Sequence, residues 1–258
     1  MGRALVQLSF AATTDAGLVR ANNEDCYVAD RDLAFFVVAD GMGGHASGEI
    51  ASSSVAEDVT AFIRETSRAS DNTWPFGLDP ALSALANRLQ VAIRSANRRL
   101  AARVQHDASL GGSGATLVAA LFGDDHVAIS NVGDCRAYLL RHGTLNQITR
   151  DHSLVAEQVA LGLIDSNEAR HHPLRHVVTR AVSGDAGMRV DIWEMTLQPR
   201  DRLLLCSDGV HGVMTDQELT GYLAAMDTSL DDICSALVNA VKGHGAPDNV
   251  TAVLVEVV

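Results

Sequence analysis

Short apolar runs lie near the start, in the middle and at the end of this chain. Two long amphipathic segments separate the first runs from the rest. The nearly continuous run over residues 33–39 is typical of a buried strand. Similar runs predict strands over residues 116–122, 127–132, 137–140, 145–148, 203–206 and 250–257. The four middle runs are joined in pairs by short glycine-containing turns, which indicates two hairpins. Residues 1–10 have the composition of an edge strand.

Helical spacing of apolar residues occupies the segments between these strands. It predicts helices over residues 49–64, 80–104, 153–163, 215–226 and 229–241. Ser153, Thr215 and Ser229 stand at the expected N-cap positions, and Glu218 completes a capping box. Residues 71–80 are expected to form a packed loop between the first two helices. Because strands and helices do not alternate one for one, the order predicts an α+β fold built in layers.

Composition limits the classes of protein that this chain can represent. Its 258 residues, without a visible repeat or long linker, fit a single domain, and 47% hydrophobic residues exclude general disorder. The formal charge of −12 argues against nucleic acid or an anionic membrane as a partner. Four widely spaced cysteines, a poor signal sequence and no apolar run of membrane-spanning length predict a cytoplasmic protein.

Three aspartates share one kind of position at the predicted strand ends. Asp40 and Asp208 each follow an apolar run and precede a glycine, whereas Asp248 directly precedes the last run. Glycine lets the backbone turn and expose its own carbonyl oxygen, and hard divalent cations prefer such oxygen ligands. Asp-Gly is also a common turn sequence. Three such aspartates in an acidic chain nevertheless favour a site for a hard metal ion.

A separate polar cluster covers residues 20–25. There Arg20 is closely followed by Glu24 and Asp25. Arginine is the natural bidentate partner of phosphate or carboxylate, so the cluster fits either a phosphate-binding site or a solvated turn with a local salt bridge.

Taken together, six motifs resemble those of the metal-dependent protein phosphatases, the phosphatase 2C family, in its bacterial form. They lie at residues 20–25, 38–45, 131–136, 149–153, 206–209 and 248–251, in the family order and across nearly the whole chain. The resemblance implies an α-β-β-α sandwich, in which two packed antiparallel sheets are flanked by helices on both faces. It also implies one catalytic domain over residues 1–258 with a variable flap at about residues 150–179.

The resemblance assigns roles to named residues of a site with two Mn²⁺ or Mg²⁺ ions. The implied metal-binding residues are Asp40, which bridges both ions, Gly41 through its carbonyl, Asp208, Asp248, and Glu24, often through water. Asp134, with Asp208, corresponds to a third and weaker metal site. Arg20 is expected to grip the substrate phosphate, and Asp25 and Asn249 to support the ligands. Attack by a water shared between the two ions needs no phosphoenzyme.

The implied activity is hydrolysis of phosphoserine and phosphothreonine in proteins, opposing a bacterial serine/threonine kinase, by a monomeric enzyme. A phosphatase of small molecules and an inactive binding module of the same fold are the alternatives. Many eukaryotic members carry a histidine where this chain has Met42, so the source of the leaving-group proton stays open. His45 is expected to be structural, and the histidines at 171, 172 and 176 to belong to an exposed polar flap. Cys206 is expected either to face the same side as Asp208 or to be an inert buried thiol.

Overall fold

The computed structural model describes residues 6–43, 47–67 and 75–258, and within them the chain forms two five-stranded antiparallel sheets. The first sheet contains, in spatial order, β1 (Leu8–Asp15), β10 (Val250–Val257), β9 (Arg202–Cys206), β6 (Arg136–Arg141) and β7 (Thr144–Gln147). The second contains β2 (Asp25–Asp30), β3 (Phe35–Met42), β4 (Gly114–Phe122), β5 (His126–Val132) and β8 (Asp191–Thr196).

Seven α-helices in the described part of the chain cover the sheets or form the loops around them. They are α1 (Ser47–Ser67), α2 (Ala84–His106), α3 (Leu154–Ala160), α4 (Ser166–His171), α5 (Asp208–His211), α6 (Asp216–Leu223) and α7 (Leu230–Gly243). No helix within residues 6–43, 47–67 and 75–258 has both the length and the apolar character of a transmembrane segment.

Successive side chains point to opposite faces of each strand, and this arrangement separates three apolar layers. In β3, Phe35, Val37 and Ala39 pack with α1 and α2, whereas Phe36 and Val38 face the first sheet. In β9, likewise, the odd-numbered leucines face the second sheet and the even-numbered residues pack with α6 and α7. The central strands of each sheet are therefore buried on both faces, as continuous apolar runs require. The predicted α-β-β-α sandwich is confirmed.

The predicted strands and helices are present, with shifted boundaries. Ser153, Thr215 and Ser229 are N-caps, and Thr215 forms a capping box with Glu218. The second helix starts at Ala84 with Ser83 as N-cap rather than at residue 80, because the side chain of Ser83 accepts a hydrogen bond from the Ala86 N–H.

The sequence patterns missed several shorter elements. These are β2, β8, α4 and α5, which are too short or too irregular in hydropathy to show a period. The expectation of a packed loop over residues 71–80 was wrong for its described part, because Phe76 and Leu78 are exposed. Residues 71–74 and His45 lie outside the described residues.

Candidate functional site

The predicted site residues meet at one end of the gap between the two sheets. Asp40 lies near the end of β3, Asp25 begins β2, and Asp208 follows the end of β9. A hydrogen bond of 2.7 Å from the Ser207 hydroxyl to Asp25 Oδ2 joins the two sheets at this point. Residues far apart in sequence are thereby fixed on one rigid frame.

Asp25 and Asp40 lie directly opposite each other in the β2–β3 pair, so their carboxyl groups share one face of the sheet. Asp25 is buried, and its Oδ1 has no hydrogen-bond partner in the described part of the chain. Burial raises the pKa of Asp25 to about 6, against the effect of hydrogen bonds from Thr251 and Ser207. Burial also raises the pKa of Asp40 well above its usual value. The carboxylates whose charges raise it further are Asp25, Asp208, Asp134 and Asp248.

Asp208 and Asp134 belong to the same electrostatic cluster. Asp208 is the first residue of α5, and burial together with the charges of Asp134 and Asp248 raises its pKa well above the usual value. Burial raises the pKa of Asp134 to about 6. Negative charges packed this closely favour a bound cation.

Asp248 and Asn249 organise the polar loop that precedes β2. Arg20 donates a 2.7 Å hydrogen bond to Asp248 Oδ2, and this contact is the main cause of the raised pKa of the guanidinium. Asn249 Oδ1 accepts from the Glu24 N–H at 2.8 Å, while its Nδ2 donates to the carbonyls of Ala16 and Asn22. Asn249 therefore holds the loop that carries Arg20 and Glu24 against the start of β10.

Glu24 and Gly41 approach each other through the backbone. The Gly41 N–H donates to the Glu24 carbonyl at 3.1 Å, and the Glu24 carboxylate packs on Gly48 in the first turn of α1. A Cβ atom at Gly48 would lie 2.6 Å from Glu24 Oε2, so a larger residue there would displace this carboxylate. Burial is the main cause of the raised pKa of Glu24.

Two histidines support the turn that carries Asp134, and neither was identified as a site residue from the sequence. The His211 Nε2 lies 2.9 Å from the Asp134 carbonyl, which can only accept, so this nitrogen carries the proton. Burial lowers the pKa of His211 to about 3, which keeps the ring neutral. The His152 ring nitrogen Nδ1 accepts a hydrogen bond from the Gly133 N–H at 3.0 Å, and the backbone N–H of His152 donates to the Gly133 carbonyl at 2.8 Å. His152 lies within one of the six motifs, and this was the available signal.

Cys206 does not face the site. β9 ends at Cys206 and α5 begins at Asp208, so the two-residue period of a strand does not extend between them. The thiol is buried among apolar residues under α6 and α7, and burial raises its pKa to about 12. Of the two expectations for Cys206, the shared face with Asp208 was wrong, and burial away from the site agrees with an inert thiol.

The flap expected at residues 150–179 contains α3 and α4 and returns to the fold through the pairing of Ser153 with Val178. Among the flap histidines, His152 contacts the turn that carries Asp134, and the pKa of His176 is shifted. Partial burial lowers the pKa of His176, and Arg175, Asp248 and Arg20 are near enough to act on it. The first residues of the flap lie beside the turn that carries Asp134, because His152 contacts Gly133.

The donor set fits hard divalent cations. It consists of carboxylates and backbone oxygens, and the buried Asp25 Oδ1 lacks a partner in the described chain. No three His, Cys, Asp or Glu side chains among the described residues form a ready-made cage for an ion. Mg²⁺ does not require one, because it usually keeps several waters and binds through one or two carboxylates. An open carboxylate cluster at the end of two sheets suits such hydrated ions.

Comparison with known proteins agrees with this geometry. The family model described as protein phosphatase 2C matches residues 20–254. Serine/threonine protein phosphatase PstP of Mycobacterium tuberculosis is 37% identical over 100% of this chain, which covers 46% of that relative. This chain thus spans about half the length of PstP. Serine/threonine phosphatase stp of Listeria welshimeri is 33% identical over 94% of this chain and 93% of its own length.

Solved structures show the same fold. The crystal structure of the M. tuberculosis phosphatase PstP/Ppp superposes with a TM-score of 0.85 at 36% identity, covering 98% of this chain and 99% of that one. The catalytic domain of PstP, solved in complex with two manganese ions, gives a TM-score of 0.83 at 34% identity, covering 97% and 98% of the two chains. The match over residues 20–254, with these relatives, shows that the chain belongs to the protein phosphatase 2C family.

Proposed function

We propose that this chain is a metal-dependent phosphatase that hydrolyses phosphoserine and phosphothreonine in proteins. One observation carries the proposal: carboxylates from separate motifs meet at one end of the sheet pair and raise the pKa of one another. Family membership supports the reaction class, and the two manganese ions of the PstP catalytic domain support Mn²⁺ as a cofactor.

The residues proposed to hold the two main ions are Asp40, the Gly41 carbonyl, Asp208, Asp248 and Glu24, with Asp134 and Asp208 at a third, weaker position. Two such ions, when bound, lower the pKa of a shared water and neutralise the phosphoryl oxygens. The protein keeps the ligands in place. Asn249 fixes the Glu24 backbone, and the Ser207 hydroxyl fixes Asp25 beside Asp40.

Arg20 is proposed to bind the substrate phosphate. Its side chain is 55% exposed, so a phosphate can reach it, and its hydrogen bond to Asp248 holds the guanidinium beside one of the proposed metal ligands. Guanidinium groups bind phosphate oxygens in a bidentate fork, which orients the ester for attack.

Further aspects of the proposal concern the setting of the enzyme. We propose a cytoplasmic monomer that acts on the products of a bacterial serine/threonine kinase, with residues 1–258 as one catalytic domain. All four cysteines are free thiols, as is usual in a reducing compartment. Light scattering behind a sizing column tests the monomer, and dephosphorylation of proteins phosphorylated by the cognate kinase tests the substrate class.

Removal and return of metal tests the reaction itself. Chelation with EDTA is expected to abolish turnover of a phosphothreonine peptide, and Mn²⁺ is expected to restore it. Asp40→Ala is expected to lose at least about a thousandfold in kcat, because its carboxylate is central to the cluster. Asp124→Ala, at an exposed carboxylate in the β4–β5 turn, is the matched control. Full turnover in excess chelator would overturn the proposal, and activity on small phosphoesters alone would favour a phosphatase of small molecules.

A further inference from the structure

Two apolar side chains stand exposed directly beside the proposed phosphate-binding arginine. Leu18 is 62% and Val19 is 70% exposed, and Val19 is the chain neighbour of Arg20. Isolated exposed apolar residues are common on proteins. Consecutive ones next to a catalytic site are a candidate contact for substrate.

The backbone beneath this pair is held tightly. Asp15 accepts a 2.9 Å hydrogen bond from the Gly17 N–H and forms an ion pair of 2.6 Å with Lys242 of α7. The Leu18 N–H donates to the Ala246 carbonyl at 3.0 Å. Gly17 has a φ of +78° and packs on the Asp248 carbonyl, where a Cβ atom would not fit. Leu18 and Val19 are thus displayed at a fixed position relative to Asp248 and Arg20.

Leu18 and Val19 form one small apolar surface, and this pair is called the apolar rim.

We propose that the apolar rim binds apolar side chains next to the phosphorylated residue of the substrate, so that the enzyme selects phosphopeptides with such neighbours. The inference rests on the proposed function. A phosphate held by Arg20 places the adjoining substrate residues near the rim, because successive Cα atoms of a chain are about 3.8 Å apart. The occupant is therefore the substrate polypeptide itself, continuous with the group in the active site.

A leucine side chain that leaves water for an apolar surface favours binding, and its partial burial at an open rim is expected to be worth about a tenfold change in an equilibrium constant. A leucine next to the phosphothreonine is therefore expected to raise kcat/KM by about tenfold over a serine at that position.

Matched phosphothreonine peptides that differ only in leucine or serine beside the phosphorylated residue test this inference, with p-nitrophenyl phosphate as a substrate without a peptide. The double variant Leu18→Ser, Val19→Ser is expected to remove the tenfold preference while leaving kcat/KM for p-nitrophenyl phosphate unchanged. Leu78→Ser, at a leucine that is 56% exposed before α2, is the matched control and is expected to keep the preference.

The possible outcomes separate the inference from the proposed function. Equal turnover of both peptides by the wild type, or a preference that survives in the double variant, overturns the role of the rim while the phosphatase activity stands. If the double variant loses as much kcat/KM on p-nitrophenyl phosphate as on the leucine peptide, the role of the rim is also overturned, because the substitutions then act on the reaction site and not on peptide binding. Hydrolysis of p-nitrophenyl phosphate with no turnover of either peptide overturns the proposed function itself.

Discussion

Replacing Asp25 by asparagine is expected to stabilise the metal-free protein at neutral pH. Asp25 is buried, and its pKa of about 6 lies above the value of 3.8 expected in the unfolded chain. The native state therefore holds its proton more tightly, and stability falls as the pH rises from about 4 to 6. The difference in pKa corresponds to about 3 kcal/mol of lost stability above pH 6. Asparagine keeps the shape of the side chain and does not ionise.

Comparison of the variant with the wild type removes the contributions of titrating groups that do not interact with Asp25. The pKa of Asp134 is also raised to about 6, and that of His211 is lowered to about 3, so these two groups change the pH dependence in opposite directions. Both are present in wild type and variant and Asp25 is not a cause of either shift, so their contributions largely cancel in the difference. The charge of Asp25 does raise the pKa of Asp40 and of Asp208, so its removal adds to the stabilisation of the variant at neutral pH.

Urea unfolding in EDTA at pH 4, 5, 6 and 7 provides the measurement. The free energy of unfolding of Asp25→Asn minus that of the wild type is expected to grow from near zero at pH 4 to about 3 kcal/mol at pH 7. Asp124→Asn, at an exposed position in the β4–β5 turn, is expected to show no such growth. A difference that stays constant with pH, or a variant less stable than the wild type at pH 7, would refute the reasoning. In Mn²⁺ the same variant is expected to bind metal about 10–100-fold more weakly, as for other groups that support metal ligands.

Three further substitutions test separate parts of the site. Asp134→Ala is expected to keep the two tight ions in calorimetric titration while lowering kcat on phosphopeptides, and loss of tight binding would move Asp134 into the main site. Arg20→Ala is expected chiefly to raise KM for phosphopeptides if the guanidinium binds the ground-state phosphate, and an unchanged kcat/KM would remove Arg20 from the site. His211→Gln is expected to flatten the acid side of the stability curve, because a buried neutral histidine with a pKa of about 3 destabilises the fold by about 4–5 kcal/mol as the pH falls from 6.5 to 3. The free energy of unfolding of the wild type and of His211→Gln, measured by chemical denaturation between pH 6.5 and 3, tests this. An equal loss of stability in both proteins would contradict the role of His211.

The layered fold could be predicted because its signals are strong and local. Apolar runs identified β3, β9 and β10, and N-cap serines and threonines identified the starts of α3, α6 and α7. β2 and β8 gave no such signal, since each is exposed or only half-buried along most of its length and its residues follow no clean alternation. Their pairing with β3 and β5 is decided by tertiary contacts.

The candidate site likewise contains residues that the sequence motifs named and residues that only the structure identified. The structure places Asp25 opposite Asp40 and ties Asn249 to the Glu24 backbone, while the metal-binding roles of the residues named from the motifs stay predictions. The roles of Ser207, His152 and His211 depend on hydrogen bonds across the fold, which have no counterpart in local sequence. Cys206 shows the opposite error, since the periodicity of β9 was extended beyond the residue where the strand ends.

The alternation that builds the core also directs Asp40 into the site. Phe36 and Val38 face the gap between the sheets. Asp40 is two residues after Val38 and lies on the same face of β3, near the first residues of β2 and β4. The carboxylate therefore projects into the same gap, beside Asp25 and the Ser207 hydroxyl. A shift of one residue in the apolar run would turn Asp40 toward α1. It would also exchange the two faces of β3, so that the residues now packed on the helices would face the other sheet. The position of the carboxylate cluster and the packing of the central apolar layer therefore depend on the same register of β3.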